Sequence, residues 1–180
     1  MLIYITSGKH NDLIFGDAEL SYLEELLCSI DKNLSDINLR IKHSIDPESD
    51  GLCDKGEYFI GAGFCAMQRY LADVLQDKRI DKGVALQLGP KNKKGVAISL
   101  VVHAAGNYWK HGPEWHIWMD ELDAKSQKTI DRLISNEGPA WYVLSDVLAE
   151  LCNEKELSLR GCIPYLKKWR YAVHQKLQEN

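Results

Sequence analysis

The sequence contains no C-x-x-C pair, and its five cysteines (Cys28, Cys53, Cys65, Cys152, Cys162) are odd in number and irregular in spacing. That excludes a disulfide framework and a zinc knuckle, and it suits reduced thiols in a cytosol. No apolar run approaches the roughly 18 residues that a membrane span needs. The longest, Val96 to Gly106, is broken by Ser99 and His103. No basic region precedes the apolar residues of Met1-Leu2-Ile3-Tyr4-Ile5-Thr6, so no export signal is expected and the location read from the sequence is cytoplasmic. Positive charge is not in excess either. Twenty-two Lys and Arg against 26 Asp and Glu give a formal charge of -4, so no global field draws the chain to nucleic acid or anionic lipid, and any such contact must be local.

What is present describes a folded chain. With 180 residues, 45% of them hydrophobic and 27% charged, the sequence can bury one core, which excludes disorder and predicts a single domain over 1–180. Residues 2–6, rich in Ile and Tyr, suit a short strand that Ser7-Gly8 ends. Helical spacing follows. Asp17 caps a run in which Leu20, Leu23, Leu26/Leu27 and Ile30 recur, predicting a helix over about 17–34. Leu39, Ile41, His43 and Ile45 alternate as in a strand or an irregular turn, and Asp46-Pro47 through Gly56 reads as loop.

Phe64, Met67, Leu71, Val74 and Leu75 mark a long helix within Tyr58–Gln76, starting near Gly61 or Gly63, with Gln68, Arg69 and Asp73 on its polar face. Residues 83–88 have no clear period, and 89–95 read as a turn. Val96–His111 is predicted helical and closed by Gly112 as a left-handed cap with Pro113 behind it. Asp123–Asn136 ends the same way at Gly138-Pro139, and Trp141–Cys152 and Ile163–Leu177 complete the set. The expected fold is mainly α: a bundle of about six helices with a small β element at the N-terminus. The stretches from Gly112 and Gly138 share Gly, Pro, Trp, Asp and Leu in register, but two copies do not make a solenoid, and the reading is a Gly-Pro-x-Trp helix start used twice.

Chemistry concentrates on the 96–111 helix. At 100° per residue Ile98, Val101, Val102, Ala105, Tyr108 and Trp109 share one face, while His103, Asn107 and His111 fall together on another. Neighbours in that ladder can share a water or a phosphate, but its ends, about 12 Å apart, cannot grip one metal. The ladder reads either as a polar seam between helices or as a ligand-facing site. His111, Glu114 and His116 have no recognised metal-ligand spacing. Tyr58 to Ala66 contains G-x-G-x-x-A, the outline of a dinucleotide fingerprint, without the strand context that would support it, so its glycines read as close-packing positions. No metal or cofactor is implied. Lys91-Asn92-Lys93-Lys94 and Lys167-Lys168-Trp169-Arg170 are the basic runs, so Lys93, Lys94, Lys167, Lys168 and Arg170 are candidate phosphate contacts, although Trp169 shares the apolar stripe of Leu166, Val173 and Leu177.

Gly106-Asn107-Tyr108-Trp109-Lys110-His111 resembles the Arg-Asn-x-x-x-His helix motif of HEPN-type proteins, small all-α domains of toxins, abortive-infection systems and RNA-cleaving enzymes. The resemblance implies a dimeric site in which Asn107 and His111 act at a scissile phosphate. Gly106 stands where the motif has its Arg, and without a guanidinium the phosphate loses its bidentate donor. Arg69, on the preceding helix, is the candidate substitute. Two readings emerge. One is a non-catalytic helical interaction protein whose five Trp and eight Tyr favour self-association. The other is a HEPN-like ribonuclease or nucleic-acid-binding toxin component using His103, Asn107 and His111.

Overall fold

The structure, a computed structural model, describes residues 3–6, 13–76, 80–114, 123–133, 141–152 and 157–179. The chain opens with an antiparallel hairpin, β1 (Ile3–Thr6) against β2 (Leu13–Gly16), in which Ile3 faces Gly16 and Thr6 faces Leu13. The strand expected at 2–6 is therefore present, and its partner follows directly. Helix α1 runs from Ala18 to His43. Asp17 caps it, its Oδ1 accepting from the Leu20 amide at 3.1 Å, which satisfies one of the free donors of the first turn. Leu20, Leu23, Leu27, Ile30, Leu34 and Ile37 are buried, an unbroken three-to-four spacing.

That stripe corrects the expected end at 34. The alternation of Leu39, Ile41, His43 and Ile45 is not a strand: residues 39–43 are helical, Leu39 is exposed, and Ile45 projects into solvent past the helix end. Arg40, Lys42 and His43 in the last turn favour the negative end of the helix dipole.

Helix α2 (Leu52–Val74) begins nine residues ahead of Gly61, so the tail of the expected loop is helix. Gly56, Gly61 and Gly63 lie buried within it. A Cβ on Gly61 would collide with the Trp109 ring, and one on Gly63 with the Leu159 side chain. These glycines are approach points that let neighbouring elements close on α2, which is the close-packing reading of G-x-G-x-x-A. Residues 83–88, without a clear period, begin in a one-turn helix, α3 (Lys82–Ala85), capped by Asp81.

Helix α4 (Ile98–His111) buries Ile98, Ser99, Val101, Val102, Ala104, Ala105 and Gly106. Gly112 is not a left-handed cap. Its φ of -50° and ψ of -44° keep it right-handed, and the chain tightens into a 3-10 turn over Gly112–Glu114. Helices α5 (Ala124–Leu133), α6 (Val143–Leu151) and α7 (Ile163–Gln178) complete the bundle. Gly138-Pro139, the start of the second copy of the internal echo, lies outside the described residues, as do Asn136 and Trp115 to Leu122. The mainly α bundle expected from the sequence is the fold observed, and among the described residues no helix is long and apolar enough to cross a membrane.

The core joins α1, α2, α4, α6 and α7 through Leu27, Phe64, Met67, Val102, Leu148, Leu166, Trp169 and Val173. Each such side chain contributes on the order of 1.5–3 kcal/mol by leaving water. Trp169 is 1% exposed and its indole donates to the Ala85 carbonyl at 2.9 Å, so α3 is tied to α7 by a satisfied polar atom inside an apolar contact. Two carboxylates act across the bundle as caps. Glu57 of α2 accepts from the Leu144 and Ser145 amides and the Ser145 hydroxyl at the start of α6. Asp31 of α1 accepts from the Leu159 and Arg160 amides and the Ser158 hydroxyl. Both fix where a following segment begins.

Candidate functional site

Helices α2 and α4 approach closely because Gly106 has no side chain: a Cβ there would sit 2.8 Å from Gln68 Oε1 and 2.9 Å from Gln68 Cβ. Gln68 is buried and spans the contact. Its Nε2 donates to the His103 carbonyl at 3.0 Å and to Asn107 Oδ1 at 2.7 Å. A carbonyl can only accept, so the Gln68 amide must present its NH2 group here, and Asn107 must meet it with oxygen. The Asn107 amide nitrogen is then left facing His103 Nδ1, 3.3 Å away. Only an unprotonated Nδ1 accepts from it, so the neutral ring carries its proton on Nε2.

Burial pushes the His103 pKa down to about 4, with the Lys82, Lys110, Arg132 and Lys125 charges pushing the same way. Protonation would also set an Nδ1–H against the Asn107 NH2 group, two donors face to face. The ring is therefore a neutral donor at physiological pH, and its Nε2–H has no acceptor among the described residues.

His103 and Asn107 lie on the floor of a depression of about 540 Å³ between α2, α3, α4 and α5, whose lining includes Gln68, Arg69, Lys82, Lys110 and Lys125 and whose apolar wall includes Leu71, Leu75 and Leu86. No carboxylate contributes to this lining among the described residues. Arg69 is held by Asp73 through Nε at 2.9 and 3.0 Å, while Lys82, Lys110 and Lys125 have no ion-pair partner among the described residues. Asn107 and Lys125 also border a second depression of about 250 Å³ with His111, Glu114, Asp123, Ser126 and Thr129. The two form one groove whose ends differ in charge.

At the second end, His111 Nδ1 contacts Glu114 Oε2 at 3.1 Å. Asp123 accepts through Oδ1 from the Lys125 and Ser126 amides and through Oδ2 from the Ser126 hydroxyl. The Ser126 amide and hydroxyl hold the Asp123 carboxyl below the usual range, so it is anionic at neutral pH.

The ladder of His103, Asn107 and His111 is thus seam and groove floor at once. His103 and Asn107 are half-buried and bonded to Gln68, whereas His111 is exposed on the rim. Arg69 reaches the same depression as His103. Gly106 points into the α2–α4 contact rather than the groove, so a guanidinium grown from this position would have to displace Gln68. The basic runs do not join the site: Lys93, Lys94, Lys167, Lys168 and Arg170 line neither depression. Lys94 pairs with Glu150 at 3.8 Å, Lys167 with Glu24 at 2.7 Å and Arg170 with Asp17 at 3.5 Å. His116 lies outside the described residues.

Gln68, Lys82, Lys110 and Lys125 are the groove residues that sequence reasoning missed. Gln68 had a legible signal, since it falls four residues after Phe64 and three before Leu71, on the buried stripe rather than the polar face. The three lysines come from different elements and had none. No protein-family model, curated protein or solved structure matches the chain.

Proposed function

We propose that the protein is a non-catalytic interaction protein that self-associates and binds an anionic partner in the groove between α2, α3, α4 and α5. The observation that carries this reading is that Lys82, Lys110 and Lys125, without an ion-pair partner among the described residues, line the same depression as His103, whose Nε2–H has no acceptor there. Lysines without an ion pair beside a half-buried donor, with no carboxylate in the lining of that depression, form a local positive site on a chain whose net charge is negative. Self-association is supported by exposed aromatic side chains, Tyr22, Tyr58, Trp141 and Tyr171.

The non-catalytic part follows from the state of the groups. His103 is locked as a donor, and Gly106 supplies no charge where the resembled motif has its Arg. One observation favours the alternative, a HEPN-like ribonuclease: His111 is oriented by Glu114 on the groove rim, as a general base would be. Titrating isotopically labelled protein with pyrophosphate tests the binding reading. Shifts are expected at the His103 imidazole, the Asn107 side chain and the Lys110 ammonium, and a spectrum unchanged at millimolar ligand would overturn it. Light scattering tests self-association, for which a dimer is the expected mass and a monomer at every concentration the contrary one.

A further inference from the structure

The groove is cationic at one end and acidic at the other, and that polarity constrains what fits it. At the first end Lys82, Lys110 and Lys125 line the depression together with His103 and Arg69. At the second, across Asn107 and Lys125, the Glu114 and Asp123 carboxylates stand beside Ser126 and Thr129. A nucleic acid strand laid along the groove would carry phosphates past both ends. The second phosphate would meet two carboxylates, and the favourable charge of the first would be offset by repulsion at the next.

A molecule with one phosphate and a hydroxylated body has the opposite pattern. Its anion suits the lysines and the imidazole donor, and its hydroxyls are donors for carboxylates that retain free lone pairs after capping. A depression of about 540 Å³ is within the range of small-ligand pockets, and Leu71, Leu75 and Leu86 offer an apolar wall to the body of such a molecule. Resting on the anion-binding reading above, we infer that the groove takes a small phosphomonoester with a polyhydroxyl body, its phosphate on His103, Lys82, Lys110 and Lys125 and its hydroxyls toward Glu114 and Asp123. Pentose phosphates and nucleoside monophosphates share this chemistry.

Calorimetric titration of the full-length chain with ribose 5-phosphate, adenosine 5′-monophosphate, inorganic phosphate, ribose and a single-stranded oligonucleotide separates the cases. At least one monoester is expected to bind about tenfold or more tightly than inorganic phosphate, a gain equal to one or two hydroxyl contacts, with ribose alone not binding. A preference for the adenosine ester over ribose 5-phosphate assigns the body as a nucleoside, and equal binding assigns it as the sugar. Lys110→Ala is expected to weaken the ester and inorganic phosphate alike, and Glu114→Gln to weaken the ester only, with Lys32→Ala on α1 as the unaffected control. Both groove positions are exposed, and circular dichroism checks that each variant folds.

Equal affinity for phosphate and the monoesters, or tighter binding of the oligonucleotide than of either ester, overturns the inference and leaves the anion-binding groove standing. No binding by any of the anions overturns both.

Discussion

At the scale of the residue, His103 carries the clearest consequences. In the unfolded chain its imidazole takes up a proton near the ordinary value of 6.5, whereas in the fold it does so only at about 4. Between these values the unfolded state binds more protons than the native one, so stability falls as pH is lowered through the window and is flat above it. Burial and Arg170 also lower the pKa of His174, which adds a slope of the same sign. Urea unfolding between pH 5 and 7 is therefore expected to show stability rising with pH, and His103→Gln should flatten part of that slope while His174 keeps the rest. A profile unchanged by the substitution would mean that His103 titrates alike in both states.

Gly106 supplies a second test at the same scale. Restoring the resembled motif with Gly106→Arg drives a side chain into Gln68 instead of the groove, and overpacking of this kind costs about 1–3 kcal/mol. The expected result is a lower melting temperature with no gain of RNA cleavage. The two residues also show what a sequence conceals. That His103, Asn107 and His111 share a face is legible from the helical period. That Gln68 fixes the tautomer of His103 is not, because the bond crosses 35 residues of chain and depends on how closely two helices approach.

At the scale of the element, the helices that the sequence showed best were those whose apolar stripe runs uninterrupted, and the errors lay where a local signal competed with the stripe. Residues 39–45 alternate, yet Ile30, Leu34 and Ile37 had already continued the helical period, and burial along it outweighs an alternation that ends in solvent. Gly61 and Gly63 suggested a late start for α2, because glycine costs about 1 kcal/mol relative to alanine within a helix. The packing of Trp109 and Leu159 onto the bare backbone offsets that cost, and such packing is invisible locally.

The cross-bundle caps are equally hidden, since Glu57 lies 87 residues before the Leu144 amide that it accepts from. Glu57→Ala would strand two amides and a hydroxyl at the start of α6, and leaving a part-buried donor unmet costs roughly 1–3 kcal/mol. The unfolding free energy of Glu57→Ala, read from its denaturation midpoint, is therefore expected to fall by an amount in that range, with Glu57→Gln, which keeps an acceptor oxygen, falling less. Equal midpoints for wild type and Glu57→Ala would mean that water replaces the carboxylate without loss.

At the scale of the whole molecule, the arrangement of charge bears on whether the groove could cut RNA. Phosphodiester cleavage by acid–base chemistry needs two proton-transfer groups on either side of one phosphorus, together with a donor that stabilises the charge developing on its oxygens. Within one chain His103 and His111 stand eight residues apart on α4, about 12 Å along the axis. One is a locked neutral donor and the other an exposed ring engaged by Glu114. The candidate guanidinium, Arg69, has its charge offset by both oxygens of Asp73. A second copy could bring another α4 across the groove, but it would also bring another Glu114 and Asp123 to face the same backbone phosphates. Purified protein incubated with structured and single-stranded RNA is accordingly expected to release no product above background, whatever its oligomeric state. Cleavage that His111→Ala and Arg69→Ala each abolish would instead mean that a dimer frees Arg69 from Asp73 and assembles the site that one chain lacks.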